Sequence, residues 1–414
     1  IKMLSIDIEC ESENGFPSPD KAAEPLICIT VKDYTTKKII VFGQGNFVND
    51  REDVQYFNCS TETHLIEMFT KFWVEYNPDI ITGWNVKFFD IPYLMNRFKN
   101  IMGEQWIQQF SPWGIVNEGT ALGLGYNRTE AYFDLLGVTT LDYLDLYRKH
   151  TFVRRESYKL DHIGEVELGQ NKLDNPYDTF KEFYQNDYQR FVEYNIQDVE
   201  LVDKLEDKMQ LIALHLTMAY EAKVNYQDVF GQVRVWDTII YNHLRSKNIV
   251  PPAMQESKTS DGYEGAYVKD PVVGFHDWIC SFDLNSLYPH LIMQYNISPE
   301  TMVGFEPNRV NVENMLNEKS DLSDLDGRTI TPNGAQFRID KRGFLPELMD
   351  TLYQERVVYK KKMIEAQKMY QQTGDKKYEF EIAKNHNIQL ARKIALNSAY
   401  GAIGNQYFRY FDVR

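Results

Sequence analysis

Cysteine is scarce in this chain of 414 residues, and the few present do not form a site pattern. The four cysteines, Cys10, Cys28, Cys59 and Cys280, are scattered, with no CxxC pair and no His/Cys cluster. A zinc site or a disulfide framework is therefore not expected, and a reducing cytoplasm is the default compartment. Long apolar runs are also missing, which argues against a membrane-spanning helix, and the first residues lack a secretory pattern.

A basic excess is missing as well. The formal net charge is −15, which at first argues against a nucleic-acid partner. That argument is weak, because a metal-dependent nuclease carries clustered carboxylates and a basic groove can coexist with an acidic remainder. Residues 345–400 hold 10 Lys/Arg against 7 Asp/Glu, a modest local excess of the sign that a nucleotide or nucleic-acid partner requires.

What remains is the composition of ordinary globular protein, with 43% hydrophobic and 25% charged residues. A chain of this length can form two to four domains, each with its own core. Because the first residue is Ile1 rather than Met, we expect the sequence to begin partway into a longer polypeptide.

Apolar periodicity predicts a mixed α/β unit over roughly the first 210 residues. The predicted strands cover residues 3–9, 26–31, 39–42, 79–83 and about 140–147. Helices are predicted at about 62–76 and about 188–222, and a third begins at Ile91-Pro92. Thr61 could cap the first of them.

After this unit the pattern changes. Pro251-Pro252 and the stretch 262–265 are typical of a connector. A strand at 278–283 is then expected to lead into a short helix, followed by a turn-rich segment at 303–338. The pattern next predicts two long helices at about 346–370 and 376–399, joined by a turn at 373–375.

Two carboxylates on the first predicted strand form the first candidate site. Asp7 and Glu9 lie two residues apart, so both side chains leave the same face, about 6.6–7 Å apart at the backbone. This spacing lets two carboxylates share a pair of divalent cations, as two-metal phosphodiester hydrolysis requires, and oxygen ligands suit magnesium or manganese. A DxE pair alone is equally compatible with a solvated strand face.

Two further segments strengthen the metal hypothesis. One is the stretch that follows a buried strand and contains Asn85, Phe89 and Asp90. It places the Asp90 carboxylate at a helix N-terminus, where an aspartate commonly acts as a helix cap. Tyr194 and Asp198, at i and i+4 on a helix, share a face. A carboxylate there can bind metal while the phenol orients water; the alternative is a surface Asp beside a half-buried Tyr.

A second candidate site follows the predicted strand at 278–283. Asp283 ends this strand, and a triphosphate with its magnesium needs a carboxylate at such an edge. Tyr288, just beyond, could lie against the sugar and leave no room for a 2′-hydroxyl. The alternative is a capped strand-to-helix turn with a core tyrosine.

The last predicted helix places Lys393, Asn397 and Tyr400 on one polar face, with His386 and Gln389 extending it backward. The preceding helix offers Arg356 and Lys360 at i and i+4, followed by Lys361 and Lys362. A solvated basic face explains such a run, but converging cations are also what an incoming triphosphate requires.

In chain order, the DxE, Nx(3)FD and Yx(3)D patterns resemble the three motifs of the DnaQ-like, ribonuclease-H-like 3′→5′ exonucleases. The later segments resemble family B DNA polymerases, and most of all those of T-even-like bacteriophages. Motif A of family B, DxxSLYP, is matched by Asp283 and residues 286–289. Motif B of family B, Kx(3)NSxYG, is matched by Lys393, residues 397–398 and residues 400–401. The stretches 141–147, 235–237, 296–301 and 408–410 are similar too.

The resemblance implies an α/β and α+β multidomain protein: a ribonuclease-H-like exonuclease domain, then a partial polymerase palm and a two-helix fingers domain. The implied boundaries are 1–211 (exonuclease), 212–254 (connector or N-terminal-domain segment), 255–342 (palm), 343–404 (fingers) and 405–414 (return into the palm). Residues 263–267 resemble the YxGG-type connector, with Ala266 in place of its second glycine.

The resemblance also implies roles for individual residues. Asp7, Glu9, Asp90 and Asp198 would hold the exonuclease metals, with Tyr194 catalytic and Asn85 and Phe89 contacting substrate. In the polymerase site, Asp283 and the carbonyl of Leu284 would bind metal. Substrate would be bound by Ser286, Leu287, Tyr288, Arg356, Lys360, Lys393, Asn397, Tyr400 and Gly401, with Tyr288 excluding ribonucleotides.

The implied ligands are two Mg²⁺ or Mn²⁺ ions per active site, primer-template DNA, a single-stranded 3′ end and deoxynucleoside triphosphates. The DTDS motif that completes the polymerase metal site does not occur, so we expect synthesis to need a C-terminal palm and thumb portion or a second polypeptide, and a sliding clamp could bind through that part. A truncated chain, half of a split polymerase, a stand-alone exonuclease and a non-catalytic DNA-binding scaffold remain alternatives.

Overall fold

A computed structural model of the chain describes residues 1–12, 15–122, 129–151, 153–254 and 268–412. The chain divides into two compact units, Ile1–His215 and Leu216–Arg414. The predicted connector at 262–265 and the YxGG-like stretch at 263–267 lie outside the described residues. Within the described residues, no helix is long and apolar enough to cross a membrane.

The first unit is built on a six-stranded sheet with strand order β4-β3-β2-β1-β5-β8. In chain order its strands are β1 (Met3–Cys10), β2 (Leu26–Asp33), β3 (Ile39–Gly43), β4 (Val54–Asn58), β5 (Ile80–Thr82) and, after the hairpin β6 (Val116–Leu122) and β7 (Thr129–Leu135), β8 (Thr139–Thr140). β1 pairs antiparallel with β2 and parallel with β5. The strands predicted at 26–31 and 39–42 are confirmed as β2 and β3, which pair antiparallel.

Helices cover both faces of this sheet. The helices of this unit are α1 (Glu62–Tyr76), α2 (Asp90–Met102), α3 (Tyr143–His150), α4 (Leu160–Leu168), α5 (Phe180–Asn186) and α6 (Tyr188–Met209), followed by α7 (Leu211–Ala222), within which the boundary between the units falls. One apolar cluster joins Ile6 and Ile8 of β1 to side chains of α1 and α2. A second, built from β2 and β3, packs against Phe183 of α5 and Phe191 of α6. The sheet is therefore buried on both faces, in a helix–sheet–helix sandwich.

Local side-chain chemistry explains where the sequence prediction succeeded and where it failed. The Thr61 hydroxyl accepts the N–H of His64 and caps α1, as predicted. The predicted strand at 140–147 is wrong: β8 ends at Thr140, and the Asp142 carboxylate accepts the N–H of Leu144 and starts α3. An apolar alternation cannot outweigh a buried N-cap that satisfies the first turn of a helix.

The predicted single helix at 188–222 is two helices. Gln210 adopts a left-handed conformation (φ 53°) that ends α6. The buried carboxylate of Glu206 then accepts the N–H groups of Ile212 and Ala213 and starts α7. The apolar pattern continues through this break, so periodicity alone does not reveal it.

The second unit begins with the end of α7 and continues with α8 (Gln232–Ser246), α9 (Leu287–Tyr295), β9 (Met302–Phe305), α10 (Val312–Leu316), β10 (Arg328–Ile330), β11 (Ala335–Arg338), α11 (Phe344–Thr373) and α12 (Lys377–Ile403). Its three-stranded sheet, in the order β10-β11-β9, occupies a segment predicted as irregular. Gly374 (φ 64°) ends α11 at the predicted turn.

Two features of the second unit bear on the site. An apolar cluster joins Trp236 of α8, Ile292 of α9, Met349 of α11 and Leu396 of α12. The predicted strand at 278–283 is wrong, because these residues are exposed and no described strand pairs with them. A strand is stabilised by its neighbours in a sheet, which an apolar run cannot specify by itself.

Candidate active sites

Three of the predicted metal ligands form a cluster in the first unit. Asp7 and Glu9 of β1 and Asp198 of α6 each offer a carboxylate oxygen, and these oxygens lie within 4.8 Å of one another. The convergence follows from the strand geometry, because side chains two apart leave the same face, and here that face is turned towards α6.

The fourth predicted carboxylate, Asp90, is buried at the start of α2. Its Oδ1 accepts the N–H of Ile8 at 3.1 Å, which ties α2 to the strand between Asp7 and Glu9. Phe89 occupies the N-cap position and makes no side-chain capping bond. The carboxylate therefore contacts β1 rather than acting from the cap position of its own helix.

Two side chains that the sequence did not single out contact the cluster. Asn195 is fully buried and donates from Nδ2 to Asp7 Oδ2 at 2.6 Å. The Lys172 ammonium forms an ion pair with Asp198 and lies 3.3 Å from the Tyr194 hydroxyl. Tyr194 and Asp198 thus share one side of α6, as their spacing predicted. Lys172 belongs to no motif and Asn195 occupies a variable position of the Yx(3)D pattern, so spacing alone would reveal neither.

Crowding of buried carboxylates dominates the electrostatics. Burial, followed by the charge of Asp198, raises the pKa of Asp7 well above its ordinary value and that of Glu9 to about 8. Burial, followed by the charge of Asp142, raises the pKa of Asp90 to about 8. Burial also raises the pKa of Asp198, against the opposing effect of Lys172.

This donor set fits divalent metal ions. All the ligands are oxygens, which magnesium and manganese prefer. Among the described residues, the buried Oδ1 of Asp198 has no hydrogen-bond partner, so this oxygen can bind a cation. Each negative charge that raises the pKa of its neighbours would be compensated by a bound cation.

Two cavities share an aromatic pair in their lining, and one of them also reaches Glu9 of the cluster. The rings of Phe16 and Phe89 lie 4.5 Å apart between centroids, and Phe16 is 78% exposed. One cavity, of about 310 Å³, is lined by Glu9, Phe16, Phe89 and Phe180, among others. The other, of about 400 Å³, is lined by Phe16, Asn85 and Phe89, among others. The only sequence signal for Phe16 is its place in a glycine- and proline-containing stretch after β1.

In the second unit, residues at the start of α9 contact the two long helices, α11 and α12. Arg356 of α11 donates to the Ser286 hydroxyl at 3.4 Å. The rings of Tyr288 and Tyr400 are stacked, 4.7 Å apart between centroids and 12° from parallel. Segments far apart in the chain that were predicted to form one nucleotide site therefore contact each other here.

The remaining predicted residues of this unit are mostly exposed. Lys393, Asn397 and Tyr400 lie on one exposed face of α12, as predicted, and Lys360 is exposed on α11. Gln389 was predicted to extend that face but is buried, so the polar stripe is shorter than expected. The other exposed members of the predicted set are Asp283, Leu284, Leu287 and Gly401.

Comparison with known proteins places both units. A model described as "DNA polymerase family B, exonuclease domain" matches residues 1–163, and one described as "DNA polymerase family B" matches residues 228–411. The chain belongs to DNA polymerase family B.

Individual members of family B align along the whole chain. The DNA-directed DNA polymerase of Escherichia phage RB69 is 32% identical over 100% of this chain and 52% of its own length. That of Enterobacteria phage T4 is 31% identical over 100% and 53%. The DNA polymerase delta catalytic subunit of Caenorhabditis elegans is 28% identical over 98% and 36%. The chain spans about half the length of the two phage relatives.

Family B exonuclease and polymerase domains generally use divalent metal ions, and the carboxylate cluster of the first unit suits such ions. The two family models also correspond to the two units of the structure. The exonuclease model matches residues of the first unit, and the polymerase model matches residues of the second.

Proposed function

We propose that this chain contributes to template-directed DNA synthesis and carries the 3′→5′ proofreading exonuclease in its first unit. The observation that carries the proposal is the convergence of Asp7, Glu9 and Asp198, with Asp90 bonded to the same strand. The exonuclease domain, which we take as ribonuclease-H-like, would extend to about residue 211, with residues 255–342 belonging to a palm and 343–404 to a two-helix fingers domain.

In the exonuclease reaction, Asp7, Glu9, Asp90 and Asp198 would hold two Mg²⁺ or Mn²⁺ ions, which lower the pKa of bound water and stabilise the leaving oxygen. The water oxygen would form a bond to the phosphorus of the terminal phosphodiester and the water would give up a proton, while the bond from that phosphorus to the 3′ oxygen of the preceding nucleotide would break. That oxygen takes up a proton and becomes the new 3′-hydroxyl, and a deoxynucleoside monophosphate leaves.

Other side chains of the first unit would position the single-stranded 3′ end. Tyr194 and Lys172 lie beside Asp198, where a phenol and an ammonium can orient water and neutralise phosphate charge. Phe16 and Phe89 line two cavities of nucleotide size. Unpaired bases stack on exposed aromatic rings with little sequence preference, as a proofreading site requires.

In the second unit, Asp283 and the Leu284 carbonyl would bind the metals of the polymerase site. Arg356, Lys360 and Lys393 would bind the triphosphate of a deoxynucleotide. Tyr288, stacked on Tyr400, would exclude ribonucleotides, while Ser286, Leu287, Asn397 and Gly401 shape the pocket. The primer 3′-hydroxyl would attack the α-phosphorus and pyrophosphate would leave. We propose that this activity requires a C-terminal palm and thumb portion or a second polypeptide, through which a sliding clamp could also bind.

The decisive experiment uses a labelled primer-template with a mispaired 3′ end, Mg²⁺ and the purified chain, with and without deoxynucleotides. We expect shortening of the primer without extension. The double variant Asp7→Ala, Glu9→Ala should show no shortening. Asp50→Ala, Glu52→Ala is the matched control, since these two acids have the same spacing but are exposed. Absence of shortening by the unsubstituted chain would refute the proposed exonuclease.

A stand-alone exonuclease is the second candidate function. It is favoured by the contrast between the assembled carboxylate cluster and Asp283, which lies in an exposed segment that pairs with no described strand. Supplying the C-terminal half of a related polymerase as a separate polypeptide distinguishes the two. Primer extension in that mixture supports the polymerase, whereas shortening alone supports the nuclease.

A further inference from the structure

Asp142, immediately before α3, has a role in the first unit that none of the motifs assigns. Its side chain is buried, with 2% exposure. Its Oδ1 accepts the N–H of Asn85 at 3.0 Å and the N–H of Leu144 at 2.9 Å, and its Oδ2 accepts the N–H of Lys87 at 2.9 Å. One carboxylate therefore caps α3 and also binds two amides of a loop more than fifty residues earlier in the chain.

The loop in question, residues 83–89, joins β5 to α2 and has an irregular backbone. Gly83 has φ 153° and Asn85 has φ 66°. The carbonyl of Asn85 accepts the N–H groups of Phe88 and Phe89, but the amides of Asn85 and Lys87 point out of this turn. A buried amide without a partner costs ~1–3 kcal/mol, so the loop depends on an outside acceptor to keep this shape.

The loop delivers two groups of the exonuclease site. Phe89 is its last residue and lines both cavities. Asp90 follows directly and accepts the N–H of Ile8. After burial, the charge of Asp142 is the largest contribution that raises the pKa of Asp90. Asp142 is therefore close enough to act on Asp90 through both the backbone and the electric field.

We infer that Asp142 is a positioning residue of the exonuclease: by binding the amides of Asn85 and Lys87 it holds the loop so that Asp90 reaches the metal site and Phe89 reaches the strand end. The inference rests on the proposed exonuclease function. A misplacement of about 1 Å at a reacting centre can reduce the rate about 100-fold, and loss of a partner of a metal ligand typically weakens metal binding 10–100-fold.

A role limited to capping α3 is the competing explanation, and it predicts different variants to be harmful. A cap requires only the bond to Leu144, which a serine at position 142 can replace. The serine hydroxyl is too short to replace both oxygens that bind the loop. Asp142→Ser therefore keeps the helix start and removes the loop anchor, while Asp142→Asn keeps the shape and turns one acceptor into a donor.

Asp145→Asn is the matched control. Asp145 lies in the helix that Asp142 caps, is also buried, and loses the same charge on substitution, but the ion pair found for it among the described residues is with the Lys87 ammonium at 3.9 Å. It binds no amide of the loop. An effect of charge removal alone should appear in both aspartate-to-asparagine variants, whereas an effect of the anchor should appear in Asp142→Asn and Asp142→Ser only.

The experiment measures three quantities on the full chain: amide hydrogen exchange at Asn85 and Lys87, the affinity for Mn²⁺, and kcat and KM on a single-stranded oligonucleotide. For Asp142→Ser and Asp142→Asn we expect faster exchange at these amides, Mn²⁺ affinity reduced 10–100-fold and kcat reduced about 100-fold, with KM changed less than threefold. Asp145→Asn should stay within threefold of the unsubstituted chain in all three.

The outcomes separate this inference from the proposed function. If the unsubstituted chain degrades the oligonucleotide and the two Asp142 variants keep its kcat and its Mn²⁺ affinity, the positioning role is refuted. If the unsubstituted chain is inactive, the proposed exonuclease fails, and the exchange and Mn²⁺ measurements still decide whether Asp142 holds the loop and the metal site. If Asp142→Asn does not fold, the same three quantities are measured on Asp142→Ser, which retains the N-cap of α3.

Discussion

Replacing Glu9 by glutamine should stabilise the metal-free protein, because this carboxyl lies in a site that disfavours its own charge. Burial and the charge of Asp198 raise the pKa of Glu9 from 4.5 to about 8. Between these two values the folded chain binds more protons than the unfolded chain, so the stability of the fold falls as the pH rises. Glutamine has nearly the same shape but no charge, so this loss should be absent in Glu9→Gln.

The size of the effect follows from the two pKa values. Each pKa unit represents about 1.4 kcal/mol, so the gain from Glu9→Gln should grow from ~1 kcal/mol at pH 5.5 to ~2–5 kcal/mol at pH 8.5. For a unit of roughly 200 residues, 1 kcal/mol shifts Tm by ~2–4 °C. A rise in Tm of ~5–15 °C is therefore expected at pH 8.5, and only a few degrees at pH 5.5.

The assay is thermal unfolding by circular dichroism in EDTA at the two pH values, repeated at pH 8.5 with Mg²⁺. Mg²⁺ at 100 times its dissociation constant should stabilise the unsubstituted chain by ~2.7 kcal/mol and Glu9→Gln by less, because the variant has lost a ligand. A Tm of Glu9→Gln in EDTA equal to or below that of the unsubstituted chain at pH 8.5, or an equal gain at both pH values, would refute the electrostatic account.

Three further predictions concern other parts of the chain. Gly83→Ala should destabilise the first unit by more than ~1 kcal/mol, because a Cβ there would lie 2.4 Å from the Ile6 carbonyl oxygen; an unchanged Tm would contradict this. Arg409→Met should destabilise the second unit by ~2 kcal/mol, since Arg409 donates twice to Asp237; chemical denaturation followed by a probe in that unit measures the loss. Tyr288→Ala, in an enzyme completed by the remaining polymerase segments, should increase ribonucleotide incorporation in single-nucleotide extension assays, and unchanged sugar selectivity would remove its proposed role.

The sequence predicted the parts of the fold that depend on local patterning. The bounds of α1, the start of β1 and the turn at Gly374 follow from periodicity, a threonine cap and a glycine, all of which act within a few residues. The spacing of Asp7 and Glu9 likewise predicted a shared face, because strand geometry fixes it. Their convergence with Asp198 required three motifs to be considered together.

The features that the sequence did not reveal depend on contacts between distant segments. Lys172 pairs with Asp198 from a loop that has no motif. Asp142 starts a helix and binds a loop where alternation predicted a strand. The break at Gln210 is stabilised by Glu206, whose partners follow the break rather than precede it. In each case a buried polar group decides the local structure, and its partner cannot be identified from spacing.

Strand β1 contributes both to the apolar core and to the carboxylate cluster, so packing of the core also fixes the geometry of the cluster. Ile6 and Ile8 of β1 pack in one apolar cluster, while Asp7 and Glu9 point to the opposite face, where Asp198 lies. Because side chains alternate along a strand, a slip of one residue in the register between β1 and β2 would place both carboxylates in the apolar core. Burying unpaired charges costs far more than the ordinary stability of a domain allows. The apolar residues therefore fix the register, and the register in turn fixes the site.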